Sequence, residues 1–154
     1  PVLDVLENTC IANLPKYVKR NKLLDDSMRR AEAKRAVEML DVKTPSLKTL
    51  IQDLSGGNQQ KVVLSKWLST KAKVIILDEP TRGVDVGAKA EIYEFITEMV
   101  RDNGLSVILI SSEAPEILGM CHRILVMKDG ALTGEFPRAE ATQEKLLSYA
   151  MGGE

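Results

Sequence analysis

The sequence predicts an α/β layered fold with a helical first half. Two observations carry that expectation. No β-type alternation occurs before residue 70, whereas helical apolar stripes do. After residue 72, short aliphatic runs rich in β-branched residues alternate with helical stripes, in the order strand, helix, strand, helix, strand. In the first half, Ala33, Ala36, Val37 and Leu40 lie on one face of a helix. Pro45 is expected to stop that helix. A second helix is expected after Gly57, with Val63 facing Trp67 and Leu64 facing Leu68. Residues 74–77 (Val-Ile-Ile-Leu) then suit a strand buried on both faces, as in a parallel sheet. Ile92, Phe95, Ile96, Met99 and Val100 form a helical stripe that Gly104 can cap. Residues 107–110 read as a second buried strand, 115–120 as a short helix and 124–127 as a third strand. Asp129-Gly130 is a tight-hairpin signal leading into a strand at 131–136, and a last helix covers 142–151. The expected division is a helical part, residues 1–70, and an α/β part, residues 71–154.

The chain has 154 residues, 44% hydrophobic and 28% charged, with a mean hydropathy of -0.09. That composition buries a core and excludes disorder as the main state. The longest apolar runs are four residues, far short of the roughly 20 that span a bilayer. No basic-then-apolar leader opens the sequence. Two cysteines, Cys10 and Cys121, and one histidine argue against a disulfide scaffold or a structural zinc site and fit a reducing cytoplasm. Charge is asymmetric: residues 1–77 hold 14 basic and 8 acidic side chains, and residues 78–154 hold 7 and 14. With 4% aromatics and no stacking motif, the basic half reads as a solvated helical surface, and no nucleic-acid partner is expected. The six methionines read as core filler, and His122 beside Cys121 as structural.

Three local patterns bear on chemistry. In Leu54-Ser55-Gly56-Gly57-Asn58-Gln59-Gln60-Lys61, two glycines precede a helix and admit close approach to the backbone. The helix N-terminus supplies free N–H groups, and Ser55 a hydroxyl. An ordinary glycine turn and cap fits the same residues. In residues 74–81 an aliphatic run ends in Asp78-Glu79-Pro80-Thr81. A carboxylate at the carboxyl end of a buried strand calls for a cation such as Mg²⁺ with nucleotide phosphates. Adjacent Glu79 can orient or deprotonate water. Thr81-Arg82-Gly83-Val84-Asp85-Val86-Gly87 follows directly and fits either a subunit contact or a connecting loop.

In this order and spacing, LSGGNQQK followed by VIILDEPTRGVDVGAK resembles the ATP-binding cassette (ABC) ATPases, most strongly over residues 50–137. The resemblance implies a P-loop NTPase fold reduced to a helical signature subdomain and the C-terminal part of the parallel-sheet core. It implies that Ser55, Gly56, Gly57, Asn58 and Gln59 form a signature loop that reaches the γ-phosphate of ATP held by an opposing cassette. It makes Asp78 the Mg²⁺-binding aspartate, Glu79 the catalytic glutamate and Asp85 part of a D-loop at the cassette interface. EPTRGVDVGAK with ISSEAPEILGM and HRILVMKDG is narrower and resembles the second cassette of bacterial monosaccharide importers. Those imply ATP and Mg²⁺ as cofactors. The implied partners are transmembrane permease subunits, a partner cassette and, indirectly, a sugar-binding protein. The implied place is the cytoplasmic face of the bacterial inner membrane.

Two departures qualify the resemblance. No G-x-x-x-x-G-K-[ST] phosphate loop occurs, so the chain reads as a fragment that is inactive alone. Ser112 stands where the family has its switch histidine. A serine does not bridge phosphate and water as that histidine does. The alternative is therefore a non-catalytic cassette that supplies only the signature loop and permease contacts. A chain lacking the front of the core sheet is also expected to leave an apolar sheet face bare and to self-associate.

Overall fold

The computed structural model describes residues 3–68, 70 and 72–153. These form two compact units, Pro1–Ile75 with Thr81–Ser106 and Ile76–Pro80 with Val107–Glu154.

The first unit is helical. Helix α1 (Val5–Cys10) opens on a capping box. Glu7 N donates to Asp4 Oδ1 at 2.8 Å, and Asp4 N donates to Glu7 Oε2 at 3.1 Å. A 3₁₀ stretch, Ile11–Tyr17, follows. Helix α2 (Asp26–Met39) is capped by Asp25, whose carboxylate accepts from Met28 N. Leu6, Cys10, Tyr17 and Ala33 pack into one core with Leu47 against it. Burial within this core pushes the Cys10 thiol pKa up. The stop of α2 does not wait for Pro45. Asp41 adopts a left-handed φ of 46°, Val42 N donates to Val37 O, and Asp41 N to Glu38 O. That is a Schellman ending, and it satisfies the last carbonyls without proline. The expected basic surface carries ion pairs, among them Lys16–Glu32 at 3.0 Å and Arg29–Asp26 at 2.9 Å.

Helix α3 (Gly56–Leu68) begins at the glycine pair. The expected Leu64–Leu68 pairing falls partly outside the described residues, since the Leu68 side chain is not among them. Helix α4 (Val86–Asn103) buries Ile92, Phe95, Ile96 and Met99 of the expected stripe, and Val100 is half-buried. Gly104, at φ 62°, ends it in the left-handed region. This helix groups with the first unit. Lys71 lies outside the described residues.

Strands β1 (Val74–Asp78) and β2 (Ser106–Ile110) pair in a two-stranded sheet. Ser106 N donates to Lys73 O at their starts and Glu79 N to Ile110 O at their ends, so they run parallel. The expectation that both faces are buried needs correction. Ile75 and Leu77 are buried, but Val74, Ile76, Ile108 and Ile110 are exposed, Ile76 by 64%. Alternation puts Val74 and Ile76 on one face of β1 and Ile108 and Ile110 on one face of β2.

The rest of the second unit closes its own core. After α5 (Ala114–Met120), strands β3 (Arg123–Lys128) and β4 (Ala131–Pro137) form an antiparallel hairpin. Asp129 and Gly130 turn it at φ 50° and 79°, the positive pair that a tight primed turn requires. Helix α6 (Gln143–Met151), capped by Thr142, lays Leu146 onto Ile124, Val126, Phe136 and Ala141. The methionines are not core filler as a class. Met99 is buried, whereas Met28, Met39, Met127 and Met151 are exposed.

Candidate functional site

The glycine-rich loop folds as a helix start. The Ser55 carbonyl accepts from Gln59 N at 2.9 Å, which makes Ser55 the residue before the first helical turn. Its hydroxyl accepts from Asn58 Nδ2 at 2.8 Å. Asn58 Oδ1 takes Lys43 N at 2.7 Å, so both ends of that amide are committed. Gln59 turns its amide back to donate to the Leu54 carbonyl at 2.8 Å. Ser55 and Gly56 face outward, while Gly57 is buried. A Cβ on Gly57 would stand 2.6 Å from the Ala88 Cβ, so α3 and α4 touch where only glycine fits.

That contact brings Asp85 to the same place. Asp85 caps α4, its Oδ1 accepting from Ala88 N at 3.0 Å. One turn further on, Lys61 of α3 meets Glu91 of α4 at 2.5 Å. The pairs 57/88 and 61/91 advance together, so the two helices run the same way and open side by side. Their N-termini flank a cavity of about 240 Å³ lined by Ser55, Asn58, Lys61, Asp85, Gly87 and Glu91, among others. The start of α3 and the Lys43 ammonium offer donors to it, beside the Asp85 and Glu91 carboxylates. Lys43 Nζ holds the Asp41 carboxylate at 2.6 Å and, as the largest cause, keeps its pKa below the ordinary value.

The strand-end carboxylates sit in the second unit. Asp78, the last residue of β1, is exposed. Glu79 turns into the left-handed region at φ 46°. Its N–H still donates to Ile110 O, and its Oε1 accepts from Ser112 N at 2.8 Å. A non-glycine residue in that conformation costs free energy and needs surrounding contacts to persist. The two Glu79 bonds to the residues at and after the end of β2 supply them. The structure thus brings together Glu79 and Ser112, with Asp78 adjacent, and separately Ser55 to Gln59 with Asp85. His122 is exposed. Burial, and then Glu116, push the Cys121 thiol pKa up.

A family model described as ABC transporter matches residues 2–82, more than half of the chain. The chain belongs to the ABC transporter family. It is 50% identical, over 98% of its length, to the xylose import ATP-binding protein of Geobacillus kaustophilus. It is 50% identical, over 99%, to the arabinose import ATP-binding protein of Vibrio parahaemolyticus. It is 47% identical, over 99%, to a ribose import ATP-binding protein of Rubrobacter xylanophilus. The chain spans 30% of the length of each of these relatives. Among solved structures, it is similar to an inward-facing putative metal-chelate type ABC transporter at TM-score 0.83 and 15% identity. That match covers 98% of this chain and 59% of the other. A dimeric ATP-binding cassette in a post-hydrolysis state with ADP and Pi matches at TM-score 0.73 and 25% identity, covering 90% and 58%. The fold is therefore that of the family's cassettes, here in part.

Lys61, Glu91 and Lys43 escaped the reading of the sequence as site residues. The signal was a lysine on a helix face that also carries Gly57, four residues earlier. Its partner 30 residues on becomes visible only when α4 is packed against α3.

Proposed function

We propose that this chain is part of the ATP-hydrolysing subunit that powers import of a monosaccharide through an ABC transporter. Its signature loop acts on ATP held by a partner cassette. The observation that carries this reading is the pair of helix N-termini opening side by side at Ser55 and Asp85. Exposed Ser55 and Gly56, with the helix start behind them, present hydrogen-bond donors to a phosphate of the opposing cassette. Asp85 rigidifies the neighbouring helix start at that interface. The sugar class is supported by the names of the relatives. Transmembrane permease subunits, a partner cassette and indirectly a sugar-binding protein are the implied partners, at the cytoplasmic face of the bacterial inner membrane. No described helix is long and apolar enough to cross a membrane.

Asp78 fits magnesium by donor chemistry: its exposed carboxylate, beside that of Glu79, would supply a hard oxygen ligand, with water and phosphate oxygens as the others. Magnesium, when bound with ATP, would offset charge on the transferring phosphoryl group. Glu79 orients the attacking water, its carboxylate steadied by Ser112 N–H.

The second reading is a cassette that supplies the signature loop but does not hydrolyse at its own site. Ser112 favours it, since its main-chain N–H meets Glu79 and a serine side chain does not bridge phosphate and water as a histidine does. The full-length subunit, reconstituted with its permease, separates the two. Ser55→Ala is expected to lower ATP turnover about tenfold or more, and unchanged turnover sinks the trans-acting reading. Glu79→Gln lowers turnover about 100-fold or more if this cassette hydrolyses, and leaves it unchanged if it does not.

We also propose that the isolated chain self-associates through the bare face carrying Val74, Ile76, Ile108 and Ile110.

A further inference from the structure

We propose that Lys61 is a positioning residue that locks the signature loop to the D-loop, so that the two act on the opposing nucleotide as one piece. This rests on the trans-acting reading above. Lys61 is a titratable side chain only 8% exposed. Its ammonium joins three elements. Its ammonium pairs with Glu91 of α4 at 2.5 Å and donates to the Asp41 carbonyl, at the left-handed end of α2, at 3.3 Å. It lies one turn beyond Gly57 on α3, and Glu91 lies about one turn beyond Ala88 on α4. The helices are thereby pinned twice. The Gly57–Ala88 contact sets their distance, and the Lys61–Glu91 pair sets their rotation and stagger. Asp41 extends the clamp to the loop whose Lys43 N–H holds Asn58, and through Asn58 the Ser55 hydroxyl.

The pair is built for geometry rather than for stability. Glu91 remains 58% exposed, so it returns to water at little cost when Lys61 is removed. A methionine of similar length fills the buried stem without the charge. Lys61→Met therefore leaves the fold and detaches the clamp.

The test uses the full-length subunit assembled with its permease and partner cassette. Lys61→Met is expected to lower kcat about 10-fold to 100-fold, the scale of an ångström-level misplacement. The KM for ATP should stay within about twofold, because the nucleotide is held mainly by the opposing cassette. Lys61→Arg, which keeps both donors, should recover most of kcat. Glu91→Gln should lower kcat in the same way, and the double variant should be no worse than Lys61→Met alone. A kcat for Lys61→Met within twofold of the parent, while Ser55→Ala remains impaired, overturns the proposal alone. Additive losses in the double variant also overturn it. Indifference to both Ser55→Ala and Lys61→Met overturns the trans-acting reading and the proposal together.

Discussion

The two units solve the placing of a functional side chain in different ways. In the first, residues 55–59 and Asp85 are held by contacts that the same unit completes: a capping aspartate, a glycine contact and a buried lysine. In the second, Glu79 is also held by its own unit, through Ile110 and Ser112, but the strand that carries it belongs to a sheet with one bare aliphatic face. The hairpin of that unit has a closed core of its own. The difference teaches that preorganisation is local. The loop is fixed by helix packing, whereas the strand that carries the carboxylate has one aliphatic face exposed.

The strongest challenge to this contrast is to remove a side chain from the closed core of the second unit. Phe136 is buried and meets Tyr149 edge to face at 5.0 Å. Phe136→Ala is expected to cost roughly 3–5 kcal/mol in urea unfolding. A cost below about 1 kcal/mol would show that this core is not closed. The glycine contact of the first unit comes next. Helix propensity alone would have Gly57→Ala stabilise α3 by up to about 1 kcal/mol. The 2.6 Å approach to Ala88 reverses the sign, to a loss of about 1–3 kcal/mol. Ala88→Gly in the same chain should return most of it, and a stabilised Gly57→Ala variant would refute the contact.

The bare sheet face should respond in the opposite manner. Ile76→Lys with Ile108→Lys should change stability by no more than about 0.5 kcal/mol each. Light scattering should show the chain shifting from an associated species to a monomer. A parent chain already monomeric across concentration removes the self-association proposal. The smallest effect belongs to Asp41. Its folded pKa lies below the ordinary 3.8 through the Lys43 hydrogen bond. Its contribution is therefore complete above the unfolded value and fades as pH falls through the folded one. Lys43→Gln should move the Asp41 carboxyl titration, followed by NMR, up toward the ordinary value. An unmoved titration would place the cause elsewhere.

Most helices and strands were legible as local signals. The Ala33–Leu40 stripe, Asp129-Gly130 and Gly104 each dictate their structure through side-chain period or allowed φ, and neighbours only reinforce them. The element ends at which Ser55, Asp78, Glu79 and Asp85 lie were legible for the same reason. α1 and the Ile11–Tyr17 stretch were not singled out, because they are short and their burial against Ala33 is set by packing. The stop of α2 was assigned to Pro45, because a left-handed aspartate leaves no strong sequence mark. Burial on both faces of β1 was expected from composition, but burial depends on what else packs there, and here one face stays open. The amino-acid sequence by itself determined the periods, the caps and the order of the motifs, all of which act over a few residues. Only the tertiary structure decided that Gly57 meets Ala88, that Lys61 meets Glu91, and that Glu79 is held by Ser112. Those contacts join residues about 30 positions apart, and their energies exist only once separate elements are brought within a few ångströms.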